Sequence, residues 1–262
     1  MNILDKIIEH KRIEVERNKR DRPLAVLEKS AFFQRRPLSL KKFLTDPDRT
    51  GIIAEFKRRS PSKGVINDQA DVAKVTSAYA AGGASCLSVL TDGHFFGGSG
   101  ADLEKARVNE IPILRKDFMI DNYQVTEARA MGADVILLIA ACLSPAETKS
   151  LAVFARSLDL EVLLEIHNEE ELGHICEETE IIGINNRDLK TFHVDTDRSI
   201  ELSKKIPAGK LTISESGISN IDTILLLKKF GFRGFLIGER FMMEKDPAAA
   251  FERFVQALKG AE

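Results

Sequence analysis

The sequence predicts an α/β protein, a single (β/α)8 TIM barrel with an N-terminal helical extension. Three observations lead there. Short runs rich in Val, Ile and Leu recur along the chain, and 8 of them can be counted. Most are continuous rather than alternating, the pattern of parallel strands covered on both faces. Helix-like segments lie between them, so strand and helix alternate as a barrel requires. A doubly wound open sheet is the competing architecture, but no G-x-G-x-x-G follows the first run and the count reaches 8.

The first fifty residues precede any strand. Ile3, Leu4, Ile7 and Ile8 form an apolar stripe at helical spacing, and Leu24, Val26, Leu27, Phe32 and Phe33 add apolar surface. This predicts a helical extension over 1–50 packed on a barrel over 51–262, the whole chain 1–262 being one domain. The charged run EHKRIEVERNKRDR reads as a solvated face. The strands follow as IIAEF (52–56), SCLSVL (85–90), PILRKDF (112–118) and DVILLIA (134–140). EVLLEI (161–166), IIGINN (181–186), LTISES (211–216) and GFLIGE (234–239) complete them. Helices are expected over 71–81, 123–131, 145–157, 168–176, 195–205, 219–230 and 246–259. Ser144 before Pro145, with Glu147 in the first turn, is a helix start; Asn168 is a second cap. Glycines at 82–83, 132 and 231 close helices ahead of the next strand.

Composition narrows the function. Lys and Arg number 38 against 40 Asp and Glu, a net charge of −2, which argues against a nucleic-acid surface. The N-terminus has no uncharged apolar core, and no run approaches the ~20 apolar residues of a membrane span. Cys86, Cys142 and Cys176 are scattered beside apolar residues, so reduced, mostly buried thiols and a cytoplasmic location are expected. His10, His94, His167, His174 and His193 show no metal-ligand pairing, and no metal is expected.

In a barrel of this kind the site lies at the C-terminal ends of the strands. Polar groups collect there: Glu55 and Lys57 after the first strand, Lys116 and Asp117 after the third, and Glu165 after the fifth. Asn185 and Arg187 follow the sixth, Glu215 and Ser216 the seventh, and Gly238 and Glu239 the eighth. Ser216-Gly217 and Gly238 suit a phosphate, because glycines let backbone N–H groups approach it and helix starts add positive charge. The Glu239 side chain should point away from such an anion. A desolvated Lys116 suits a general acid or a Schiff-base amine, and a Lys–Glu pair with Glu165 can divide acid and base roles. The bland counterpart is a structural ion-pair network. His94 reads as a loop residue, and Arg58, Arg59 and Lys63 as solvated charges.

Taken together, AEFKRRSPSKG (54–64), SVLTDGHFFGGS (88–99), ILRKDFMID (113–121), LLEIHNEEEL (163–172), IGINNRDLKTF (182–192), ISESGIS (213–219) and FLIGERFM (235–242) resemble the indole-3-glycerol phosphate synthase family. The resemblance covers nearly the whole chain, the extension included. It implies the carboxy-lyase of tryptophan biosynthesis, acting without cofactor or metal on a small phosphorylated substrate. Lys116 would protonate the developing alkoxide; Lys57 and Glu165 would share acid and base work in dehydration. Glu55, Asn185 and Glu215 would orient these groups, and Phe118 would line the aromatic slot. Arg187 and Leu236 would lie on the substrate side, and Ser60, Ser216, Gly217, Gly238 and Glu239 would contact the phosphate. Some relatives carry Ser at the Glu239 position, a departure that puts a hydroxyl contact in doubt. A monomer is expected, with no nucleic acid or membrane, and other tryptophan-pathway enzymes as candidate partners. A Schiff-base aldolase, a sugar-phosphate isomerase and a non-catalytic scaffold stand as alternatives.

Overall fold

The computed structural model describes residues 3–188 and 193–261; residues 189–192, which end the IGINNRDLKTF motif, lie outside the described residues. The barrel strands are β1 (Ile52–Phe56), β2 (Cys86–Leu90), β3 (Ile113–Lys116), β4 (Val135–Ile139), β5 (Glu161–Ile166), β6 (Ile181–Asn185), β7 (Leu211–Glu215) and β8 (Gly234–Ile237). Each pairs in parallel with its sequence neighbours, and β8 closes on β1. All the expected strands are present. Their far ends fall short where the chain turns: β3 stops at Lys116 rather than 118, and Glu239 opens a short helix instead of ending β8.

Period-2 alternation sorts every strand into two faces. Ile53, Leu114, Leu163, Ile213 and Leu236 point inward and pack with Leu40 and Leu44. Ile52, Ala54, Val162, Leu164 and Ile166 point outward against helices, with Val72, Tyr79 and Leu227. Because side chains at i and i+2 share a face, the inward row runs upward from these core residues to Glu55, Lys116, Glu165, Glu215 and Gly238 at the mouth. The same rigid staves therefore hold the oily plug and the chemistry above it.

The helices are α1 (Ile3–Asp21), α2 (Leu24–Leu27), α3 (Leu40–Thr45), α4 (Val72–Ala81), α5 (Gly100–Ala106), α6 (Asn122–Met131), α7 (Pro145–Ser157), α8 (Thr196–Ser203), α9 (Ile221–Lys229), α10 (Glu239–Met242) and α11 (Pro247–Lys259). Ser144 and Glu147 form a full capping box on α7, each satisfying the other's free N–H. Asn168 caps as expected, but a 3-10 turn, Glu169–His174, replaces the helix over 168–176. Gly173 inside so short a segment leaves little to propagate an α-helix. Sequence reading missed α5, whose cap Ser99 precedes a helix-weakening Gly100 and only 7 residues. Within the expected helical extension, α3 closes the barrel bottom: the Lys41 N–H donates to Glu161 at the start of β5, 3.0 Å away.

Two expectations need correction. The run EHKRIEVERNKRDR is not wholly solvated: Lys11 is 0% exposed and Val15 is buried with it. Lys11 Nζ lies 2.8 Å from Asp117 and 3.0 Å from Asp92, so three charges bury one another between α1 and the barrel rim. Arg115 continues this network, reaching Asp117 at 3.1 Å and Glu127 at 2.7 Å. The cysteines are less buried than expected. Cys86 is fully enclosed, while Cys142 and Cys176 sit half-buried in turns.

Candidate active site

A cavity of about 360 Å³ opens at the C-terminal end of the strands. It is roofed by Ile3, Leu4 and Ile7 of α1. The structure brings together every residue singled out above. Glu55, Lys57, Ser60, Lys116, Phe118, Glu165 and Asn185 line it, with Arg187, Glu215, Ser216, Gly217, Leu236, Gly238 and Glu239. They divide into an acid–base centre and a cationic end.

At the centre Lys116 Nζ lies 3.2 Å from Glu165 and 3.8 Å from Glu215. Asn185 donates to the second oxygen of Glu165 at 3.1 Å, and Lys57 Nζ lies 2.6 Å from Glu55. Burial works against a charge on Lys116, but Glu165, Glu215 and Glu55 outweigh it and hold the ammonium above its ordinary pKa. Glu165 is more deeply buried, yet Lys116, His167 and Asn185 hold it below the usual carboxylate range. Glu215 goes the other way: burial and the charge of Glu165 push its proton affinity up. Two neighbouring carboxyls with opposite shifts favour one ionised and one protonated group side by side.

Close packing makes two glycines necessary here. A Cβ on Gly183 would lie 2.0 Å from Glu215 Oε1, and one on Gly238 would lie 2.5 Å from Glu55 Oε1. Gly238 thus makes room for a carboxylate as well as standing in the phosphate motif.

At the cationic end, Ser216 adopts φ 69° and Gly217 φ 70°, turning the chain sharply off β7. A non-glycine residue there costs about 1–3 kcal/mol and survives only when its surroundings enforce it. Asn186 does so, donating to the Ser216 carbonyl at 2.7 Å and to Ser214 at 3.0 Å. Glu239 does not turn away from this end: its carboxylate lies 3.6 Å from Lys63 and 3.7 Å from Arg187. Ser60 and Lys63 belong to a small ribbon, Arg59–Ser60 against Gly64–Val65, that stands over the mouth. Arg58 is not a free surface charge, because it grips Asp102 through two bonds of 2.6 and 3.0 Å. Arg59 binds the Gly93 and His94 carbonyls. His94 stacks on His10 at 4.4 Å and stays a loop residue of the α1 contact. Phe118 meets Phe96 at 6.0 Å on the apolar side of the cavity.

Sequence reading missed His167, Asn186 and Gly183. His167 carried a usable signal, since it stands two residues beyond Glu165 and so shares its inward face. The other two serve partners distant in sequence, and no local pattern marks them.

The family model for indole-3-glycerol phosphate synthase matches residues 4–254. Proteins of that name from Bacteroides thetaiotaomicron and Dechloromonas aromatica are 46% and 43% identical to this chain. The first alignment covers 98% of this chain and 99% of the relative, the second 96% and 98%. Among solved structures, 3-hexulose-6-phosphate synthase from Salmonella typhimurium superposes with TM-score 0.64 at 12% identity, over 81% of this chain and 100% of that one. A chain of the tryptophan synthase complex from Pyrococcus furiosus gives 0.60 at 15%, over 80% and 97%. Such low identities speak for the barrel alone. The match of the family model and the full-length similarity to its members, around a cavity lined by the family's motifs, show that this chain belongs to the indole-3-glycerol phosphate synthase family.

Proposed function

We propose that Lys116 is the acid at the centre of the family's reaction in this chain. That reaction is carboxy-lyase chemistry of tryptophan biosynthesis. The ring carbon of 1-(2-carboxyphenylamino)-1-deoxyribulose 5-phosphate attacks the ketone. Carbon dioxide leaves, water leaves, and indole-3-glycerol phosphate results. An aromatic carbon is a weak nucleophile, so the ketone oxygen must receive a proton as it becomes an alkoxide. Lys116 supplies that proton. The observation that carries this reading is the pairing of its buried ammonium with Glu165 and Glu215 at the cavity floor. An amine kept charged is an acid rather than the free nucleophile of a Schiff base, which favours this role over the aldolase alternative.

Loss of carbon dioxide restores the aromatic ring. In the dehydration that follows, Lys57 gives a proton to the departing hydroxyl and ionised Glu165 takes one from the substrate. Glu55 holds Lys57, Asn185 holds Glu165, and Glu215 keeps its proton. Phe118 and Leu236 line the aromatic slot. Arg187, Ser60, Ser216, Gly217 and the backbone at Gly238 and Glu239 face the phosphate. The substrate is a small phosphorylated molecule, and amine and carboxylate groups suffice for each proton transfer without a cofactor. Among the described residues no helix is long and apolar enough to cross a membrane. The same reading takes residues 1–50 and 51–262 as one domain, since both line the cavity, and a cytoplasmic monomer as its state.

The test is incubation with the carboxyphenylamino-deoxyribulose phosphate while following indole fluorescence. Wild-type protein should form the indole, and Lys116→Ala should lower kcat by roughly 10²–10⁴-fold with the fold intact. Absence of indole formation by the wild type overturns the reading; undiminished turnover in Lys116→Ala overturns the role of Lys116.

A further inference from the structure

His167 lies outside the cavity lining, yet it touches the carboxylate at the centre of the site. It follows β5 directly and shares the inward face of Glu165. Its Nε2 lies at an ion-pair distance of 3.3 Å from Glu165 Oε1 without hydrogen-bond geometry, and its Nδ1 lies 3.3 Å from Glu171 Oε2 within it. The His167 backbone N–H also donates to Glu171 at 2.6 Å, which fixes the ring from behind. The ring is 7% exposed and Glu165 is 4% exposed, so water does little to screen the pair. A neutral imidazole brings no charge to Glu165; an imidazolium pairs electrostatically with both carboxylates.

The surroundings of the two buried glutamates differ in a way that His167 explains. Glu165 meets Lys116 on one oxygen and Asn185 and His167 on the other. Glu215 has Lys116 at 3.8 Å, and its Oε1 is buried with no hydrogen-bond partner. The remaining groups facing Glu165 are Glu55 with its Lys57 on the β1 side and Cys142 after β4. Around His167 stand Glu165, Glu171 and His174, whose ring nitrogens lie within hydrogen-bond distance of the Glu171 and Leu143 carbonyls. Glu171 is therefore held from two sides and can hold His167 in turn. Burial opposes charge on the imidazole, but Glu165 and Glu171 raise its pKa to about 10, so it is a cation at neutral pH.

We propose that His167, clamped by Glu171, is a positioning residue that fixes Glu165 as the ionised carboxylate of the site and leaves the proton on Glu215. The proposal rests on the reading of Glu165 as the base. Without the imidazolium, two buried carboxyls beside one lysine compete for a single charge. With it, the choice is made before substrate arrives.

The experiment reads the proton directly and then its effect on turnover. Carboxyl carbons of ¹³C-labelled glutamate are titrated by NMR in the wild type, His167→Gln, His167→Phe and Glu171→Gln, with Glu165→Gln to assign the signal. The Glu165 signal should titrate at least about one pH unit higher in both His167 variants. It should move the same way, by less, in Glu171→Gln. The acid limb of the kcat profile should move to higher pH by the same amount, so that kcat falls more on the acid side of the profile than on its plateau. KM should stay within about twofold, because His167 does not line the cavity. His167→Gln, which keeps a donor without the charge, should recover plateau kcat but not the position of the limb. If His167→Phe does not fold, His167→Gln and Glu171→Gln carry the measurement. An unmoved Glu165 titration in those variants overturns the proposal, whether or not the wild type forms indole. A wild type that forms no indole overturns the function reading alone.

Discussion

A single hydrogen decides the geometry of Glu215. Gly183 sits on the inward face of β6, and any Cβ there would lie 2.0 Å from the Glu215 carboxylate and 3.2 Å from Leu163. Gly183→Ala should therefore displace Glu215 by a fraction of an ångström or more. A shift of that size at a reacting centre costs up to roughly 10²-fold in rate. Overpacking should also remove about 1–3 kcal/mol of stability. Steady-state kcat together with a denaturant melt checks both; unchanged kcat would show that Glu215 tolerates the shift. At this scale the sequence was informative where a residue's own type carried the signal. Lys116, Glu165 and Glu215 could be read because charge at the end of an apolar run is costly without a purpose. Gly183 and Asn186 could not, since each is explained by a partner on another strand or turn.

The element whose chemistry was least legible is α1. Its charge pattern reads as a solvated helix, yet the face carrying Ile7, Lys11 and Val15 is buried. Lys11 answers two acids, Asp92 and Asp117, that sit on loops far along the chain, and composition alone cannot pair them. Asp117 follows Lys116 directly, so the same short turn carries an anchor on its outer face and the Lys116 ammonium on its inner one. Lys11→Ala would leave Asp92 buried without its cation and Asp117 with Arg115 alone. It should cost about 3–5 kcal/mol, measured by denaturant unfolding, more than the ~1 kcal/mol expected of a surface pair. A loss below about 1 kcal/mol would mean that water reaches the acids. The strands, by contrast, were readable because continuous Val, Ile and Leu runs have few other uses, and their ends erred by a residue or two where a turn begins.

For the whole molecule, three buried groups bound the pH range of stability. Asp117 is buried, which would raise its pKa, but Lys11 and Arg115 bring it down to about 2 from 3.8. Its contribution is present in full above about pH 4 and is lost as pH falls through about 2; it amounts to roughly 2 kcal/mol. His167 is raised from 6.5 to about 10, so its contribution is complete below about pH 6.5 and is lost as pH rises through about 10. Glu215 is raised from 4.5 to about 8, so its contribution is complete below about pH 4.5 and is lost as pH rises through about 8; thermal midpoints should be highest near pH 4 and decline on both sides. His167→Gln should flatten the alkaline decline and leave the acid one; an alkaline decline of the same size in that variant would assign it to other groups. The barrel was legible from the number and spacing of its apolar runs, and so was an extension packed on it; the polar contacts that make the closure by α1 were not. That closure has a consequence for synthesis. Asn18, Lys19 and Arg22 of the extension bind Asp121, Tyr123 and Glu127 across 101 to 109 residues of chain. In synthesis α1 precedes β3 and α6 and has no seat until they have followed it, so it must wait in water. A face that keeps a lysine at its centre is suited to that wait, because it stays solvated until its two acids arrive.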